Sequence, residues 1–384
     1  MIRRIPVAWL QLTRGKVRFA VALAGIGFAD ILMFMQLGLR EALFDSAVSL
    51  YKDLDGEIAL INPQSSSLVG MRTFSQRTLY QALAVEAVKS VHPIYLKTTD
   101  WKNPQTRQIR NIYVIGVNPN DQVLKMPGVE QDIDKINLPD VVLFDRRSRK
   151  EFGPIATEFD QGKTITTEVG GRRIKVGGTF VLGTSFAING TLVTSDLNFL
   201  RIFKERKSGL IDIGMISLKP GEKTEVVLKE LRKYLPQNVK VLSKQELIEF
   251  EKAYWQSNTA VGFIFALGTV IGFLVGTVIV YQILYSEVAD HLSEYATLKA
   301  IGYKQTYLLL LVFQEAIILA ILGYLPGFAF AIVQYNLTKS ATLLPIAMTV
   351  NRAIVVLGLT NLMCLISGAI TMHKLRAADP ADVF

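Results

Sequence analysis

The sequence is poor in the residues from which most catalytic centres are built. Among its 384 residues there is one cysteine, Cys364, and there are three histidines, His92, His291 and His373. A lone cysteine closes no disulfide within its chain, so the large polar segment must fold on packing alone. The histidines stand in separate regions, and none has Cys, Asp or Glu at metal-ligand spacing, which excludes a zinc-type motif. Gly183–Gly190, "GTSFAING", offers Ser185 but carries Ala187 where a nucleophile elbow places its second glycine. No G-x-x-x-x-G-K-S/T occurs, so the chain has no phosphate cradle of its own. These absences predict a protein that is not an enzyme and binds no cofactor. Any ATP it uses must be bound by another polypeptide.

Charge is also missing, but only in places. From Ala260 to Tyr285 no charged residue occurs, and a helix of that length exceeds the roughly 30 Å of hydrocarbon in a bilayer. Residues 19–39, 306–335 and 353–372 are similarly apolar, although Asp30 and Glu315 interrupt two of them. With 50% hydrophobic residues and a mean hydropathy of +0.31 gathered into these blocks, the chain reads as a membrane protein with four transmembrane helices. Arg3, Arg4, Arg14, Lys16 and Arg18 crowd the first span with no acid among them, which keeps that end in the cytoplasm. Four spans return the other end to the same side. The segment 40–258 and the short loop 336–352 then lie outside, while the loop 286–305 and the tail 373–384 lie inside. A cleaved signal peptide does not fit the start: the apolar stretch is too long for an h-region, and no small-x-small site follows it. The net charge of +9 does not indicate nucleic acid; part of it borders the first span, where anionic lipid explains it, and no nucleic-acid fold signature accompanies it.

The outer segment is long enough for a substantial core. "REALFDSAVSLYKDL" (Arg40–Leu54) continues the first span with apolar residues at helical spacing, and Ser243 with Glu246 sets a capping box before a helix ending near Trp255. The pattern predicts two helical stalks. Between them, short β-branched runs bounded by Gly, Pro and Asn read as strands. Strands flank Gly170-Gly171 and Gly177-Gly178, the first pair serving as a hairpin turn. Two strand–helix–strand units, one from Glu57 to Thr98 and one from Asp212 to Ser243, predict an α+β subdomain built from both ends of the segment. The strand-rich middle forms a second subdomain.

Between the second and third spans lies "HLSEYATLKAIGYKQ" (His291–Gln305). On a helical wheel Val288, Leu292, Tyr295, Ala296 and Leu298 gather on one arc, with Asp290, Ser293, Glu294 and Thr297 on another. Such a helix lies on headgroups, docks on a soluble partner, or merely connects. Gly302 stops it at the mouth of the next span, so a push on the helix reaches two membrane helices. The stretch resembles the loop of the MacB and FtsX class of ABC transporter permeases, R-E-I/Y-G/A-x-L-K/R-A-I/L-G, with Glu294, Leu298, Lys299, Ala300, Ile301 and Gly302 at matching positions. Ala8–Ala29 is similar to that family's lead-in and first span. Leu310–Ala331, with Glu315, Gly323 and Gly327 in register, is similar to its third span, and Lys374–Phe384, with Asp379-Pro380, to its tail. The cyanobacterial DevC type is the nearest form. Ser293 replaces the family's arginine, so the charged contact that arginine would make is either missing or supplied by Lys299.

The resemblance implies a MacB-like fold and a bacterial inner-membrane permease whose large domain is periplasmic. It implies a separate ABC ATPase docked on residues 294–302, Tyr295 included, a second copy of the chain, and export of envelope glycolipid through an adaptor and a TolC-like channel by mechanotransmission. An FtsX-like regulator of a periplasmic cell-wall hydrolase is the alternative; the size of the outer segment favours export. Two features remain within the spans. Gly268, Gly272 and Gly276 form a doubled G-x-x-x-G, expected to pack helices within one subunit or across a dimer. Asp30 and Glu315 must each be shielded, hydrogen-bonded or protonated in lipid; counted from the cytoplasmic ends of their helices, both fall near mid-depth, where they could share a proton, and structural hydrogen bonding is favoured over a proton relay.

Overall fold

The computed structural model describes residues 7–377; the side chains of Ser293, Ala296, Lys299, Ala300 and residues 374–377 lie outside the described residues, as do Arg3, Arg4 and Asp379-Pro380. The chain divides into two compact units, one made of residues 1–42, 260–342 and 346–384, the other of residues 43–259 and 343–345.

The first unit contains the helices long and apolar enough to cross a membrane: Lys16–Ala47, Ala260–Asp290, Gln305–Thr342 and Val350–Ala377. Each runs past the span read from the sequence, because backbone hydrogen bonding continues after the apolar stripe ends. The first helix is held by small residues on its neighbours. A Cβ on Gly323 would meet Ile26 Cβ at 2.7 Å, and one on Gly327 would meet Asp30 Cβ at 2.8 Å, so only glycine permits these approaches. Ala29, Ile26, Val280, Ala316, Leu319, Met363 and Cys364 share one buried cluster.

The second unit contains eleven strands: β1 (Ile58–Ile61), β2 (Phe74–Ser75), β3 (Val88–Lys102), β4 (Ile109–Val117), β5 (Val141–Asp145), β6 (Thr166–Val169), β7 (Arg172–Phe180), β8 (Thr191–Ser195), β9 (Leu210–Ile211), β10 (Ile213–Leu218) and β11 (Lys240–Ser243). Nine form one sheet in the order β11-β1-β10-β3-β4-β8-β5-β7-β6, and a further pairing of β3 with β6 closes its last six strands into a ring. Trp101, Ile112, Phe144, Val169, Ile174 and Leu192, one from each strand of the ring, are buried in a common cluster. Alternate residues of the same strands, such as Tyr113, Leu143 and Val193, belong to a cluster on the opposite face, as the period of two requires. The two strand–helix–strand units are present, with helices Gln76–Gln81 and Thr224–Tyr234. They are not separated from the strand-rich middle, however: the fifteen-residue β3 belongs to both halves.

Gly170 and Gly171, at φ +55° and +73°, form the turn between β6 and β7, the positive pair a type I′ hairpin demands. Gly177 and Gly178 differ from expectation. They lie inside the single strand β7, where the register against β5 shifts by one residue. Val141 crowds the face of Gly177 and Asp132 that of Gly178, so the glycines serve close approach and a bulge instead of a second turn. Ser243 caps the helix Lys244–Ser257 with both arms of the capping box formed.

Candidate functional site

The loop helix spans Leu292–Ala300. It ends because Gly302 adopts φ +102° and lets Tyr303 N–H donate to the Leu298 carbonyl at 3.1 Å, the closing bond of a Schellman stop. The chain then enters the third membrane helix within three residues. An open groove follows the stop, lined by Ile301, Gly302, Tyr303, Lys304, Tyr307 and Leu310. Ile301 is 71% exposed, and the rings of Tyr303 and Tyr307 lie 4.8 Å apart along the groove.

The opposite side of the loop helix is fastened down. Tyr295 is 6% exposed and shares a buried cluster with Ala8, Val288, Leu308, Leu311, Val312 and Met372, against which Leu298 packs in part. Its phenol is pushed far above the ordinary value, first by burial and then by the charges of Glu315, Glu287 and Glu294. Glu294 is half-exposed and lies in a chain of charges. Arg14 Nη1 reaches its carboxylate at 3.4 Å, and His291 Nδ1 lies 3.0 Å from it. His291 also lies 3.5 Å from Glu287 through Nε2, and Arg18 pairs with Asp290. Thus Arg14 and Arg18, which the sequence offered only as topology signals, flank the loop helix, with Gln11 of the lead-in helix Val7–Arg14 beneath it. Nothing in their spacing announced that contact, since the residues are about 280 positions apart.

The three glycines of the doubled motif face the first and fourth helices of their own chain. A Cβ on Gly272 would touch Leu32 and Met33 at 3.4 Å; on Gly276 it would meet Met363 and stand 2.7 Å from Ala29 Cβ; on Gly268 it would meet the Gln36 amide. The seam is therefore intrasubunit.

The two intramembrane acids are not together. Thr360 Oγ1 donates to Asp30 Oδ1 at 2.5 Å, and Asp30 packs beside Gly327. Glu315 is fully buried, and neither of its carboxylate oxygens has a hydrogen-bond partner among the described residues. Since Asp30 is level with Gly327, and Glu315 stands twelve residues earlier on the same helix, about 18 Å separates them. They share no proton. Glu315 belongs instead beneath the loop helix, with Glu287 and Tyr295.

Among the described residues no group of His, Cys, Asp or Glu is arranged to hold a metal ion. The sequence over residues 263–380 matches the FtsX-like permease C-terminal family. No curated protein matches the chain. Similar solved structures include the periplasmic region of MacB from Actinobacillus actinomycetemcomitans, 14% identical over 52% of this chain and 94% of its own, with a TM-score of 0.38. The extracellular domain of the noncanonic ABC-type transporter YknZ from Gram-positive bacteria is 14% identical over 49% of this chain and 100% of its own, with a TM-score of 0.35. Residues 263–380, which hold the second, third and fourth membrane helices and the loop helix, thus match the C-terminal part of FtsX-like permeases, consistent with a MacB/FtsX-class ABC permease.

Proposed function

We propose that the chain is the membrane subunit of an exporter of the mechanotransmission type. A separate ABC ATPase, carrying the ATP and Mg, docks on the loop helix through Glu294, Lys299, Ala300, Ile301 and Gly302, while Tyr295 and Leu298 pass the displacement to the membrane helices. The observation that carries this reading is the two-sidedness of the loop helix: one flank is buried on Tyr295, and the other ends in an open groove at Ile301 and Tyr303. A rigid helix anchored through Tyr295 moves its anchors when it is pushed from the side of that groove. Two copies of the chain pair in the inner membrane, with residues 40–258 in the periplasm. That outer unit, with its nine-stranded sheet, feeds an adaptor and a TolC-like channel with an amphipathic substrate of the envelope-glycolipid kind handled by DevC-type permeases.

The test is the double variant Glu294→Ala with Leu298→Ala. ATPase association, measured by co-purification, and substrate export should both fall, while the outer unit stays folded. Unchanged association and export in that variant would show that the loop helix is not the coupling element.

A further inference from the structure

Two apolar side chains of the outer unit, Phe186 and Val69, are 51% and 46% exposed, and the fold works to keep both where they are. Phe186 sits at the tip of the loop between β7 and β8. Asp145, fully buried, accepts hydrogen bonds from Leu182 N–H at 3.1 Å and Gly183 N–H at 2.9 Å at the base of that loop. Ser185 Oγ accepts from Ala187 N–H at 3.3 Å and Ile188 N–H at 3.1 Å, and Ile188 is buried in the core. The tip is therefore a braced projection.

Phe186 packs edge-on against Trp255, with ring centroids 5.4 Å apart. Trp255 in turn donates through Nε1 to Glu251 at 2.8 Å, and the other oxygen of the same carboxylate receives Leu68 N–H at 2.7 Å. Leu68 is the neighbour of Val69. One buried carboxylate thus holds the Val69 loop and the ring on which Phe186 rests. Arg147 flanks the Phe186 loop at Gly183, and Arg72 follows Val69 by three residues; both are exposed.

What this patch meets is bounded by chain length. Trp255 precedes Ala260, the first residue of the second membrane helix, by five positions, and residues up to Ser257 are helical. Two helical steps and three extended ones reach at most about 14 Å. Tyr254 and Trp255 are also the residue types that sit at headgroup level. An apolar tip flanked by arginine at this chain distance from a span fits a lipid surface, where the ring enters the acyl boundary and guanidinium groups meet phosphate.

We propose that Phe186 and Val69 insert into the headgroup layer of the bilayer, with Arg72 and Arg147 against lipid phosphates, giving the outer unit a membrane contact besides its helical connections. The full chain reconstituted in phosphatidylethanolamine and phosphatidylglycerol vesicles tests this. An environment-sensitive fluorophore is placed on Phe186→Cys, Ala187→Cys or Val69→Cys, with Val226→Cys, exposed on another helix of the same unit, as reference. The wild-type chain, whose only cysteine is buried, sets the labelling background. Emission at the three patch positions should shift to the blue and be quenched several-fold more by shallow nitroxide lipid than at Val226→Cys. Equal lipid quenching at patch and reference positions overturns the proposal. So does protection of the patch from both lipid nitroxide and aqueous iodide, which would mean that protein covers it. Ala187→Cys keeps the test open should Phe186→Cys misfold.

Discussion

Glu251 makes the sharpest prediction, because a carboxylate is 1% exposed in the outer unit with no cation beside it. Its partners are the Tyr51 hydroxyl at 3.1 Å, Leu68 N–H at 2.7 Å and the Trp255 indole at 2.8 Å. Burial raises its pKa from 4.5 to about 7, the hydrogen bonds lowering it by less. A carboxyl whose folded pKa lies above its unfolded one is more stable protonated in the native state. Its contribution is therefore complete below the unfolded value and is lost as pH climbs through the folded one. Two and a half units at 1.36 kcal/mol each amount to about 3 kcal/mol of local stability lost from pH ~4.5 to above pH ~7. The strain should appear first at residues 62–73, tethered through Leu68. Hydrogen–deuterium exchange of that segment in the full chain, corrected for base catalysis, should show its opening free energy fall by about 2–3 kcal/mol over that interval. Asp212, which burial raises to about 6, and Asp145, also raised by burial, tilt stability the same way. The comparison that isolates Glu251 is Glu251→Gln, which keeps the shape and one acceptor but cannot ionise. Its profile should be flatter than the wild type between pH ~4.5 and pH ~7, and parallel to it above that interval. Profiles that are parallel within the interval, or a wild-type segment that tightens as pH rises, would refute the assignment.

Four further outcomes follow from the packing. Gly276→Leu should lower the thermal stability of detergent-solubilised protein by at least 1–3 kcal/mol, roughly the range for overpacking, because Ala29 Cβ cannot move aside. Gly268→Ala should be milder, since only the Gln36 amide must swing away. Arg206→Ala strips the partner from Asp212, whose side chain is 2% exposed, and denaturant unfolding should report a loss of about 3–5 kcal/mol. Arg14→Ala with Arg18→Ala removes pairs that are half-exposed or more; stability should change by less than about 1 kcal/mol, while spin labels on the lead-in and loop helices should report a broader distance distribution.

The membrane spans, the capping box at Ser243 and the hairpin at Gly170-Gly171 are legible because each rests on local chemistry: an apolar run, a side chain three residues from its partner amide, two consecutive positive φ angles. The ring closure is not, since the pairing of Trp101 with Val169 joins strands far apart in sequence and leaves no periodic trace. The same holds for Glu251. As one acid in a helix rich in acids and lysines it looks solvated, and only the tertiary fold brings Tyr51 and Leu68 to it.

The depth of Glu315 shows how a sound count goes astray. Counting residues from the cytoplasmic ends assumes that the helices begin flush, and on that assumption Asp30 and Glu315 coincide. The glycines settle the register instead: Gly27 abuts Gly327 and Ile26 abuts Gly323, an offset of about 300 that sets Glu315 level with the junction of the lead-in and first helices. The third helix, 38 residues long, begins well below the first. An acid expected in the middle of the lipid, within reach of Asp30, thereby becomes part of the seat on which Tyr295 rests. Small residues fix how closely two helices approach and at what height, and so decide which polar side chains can meet.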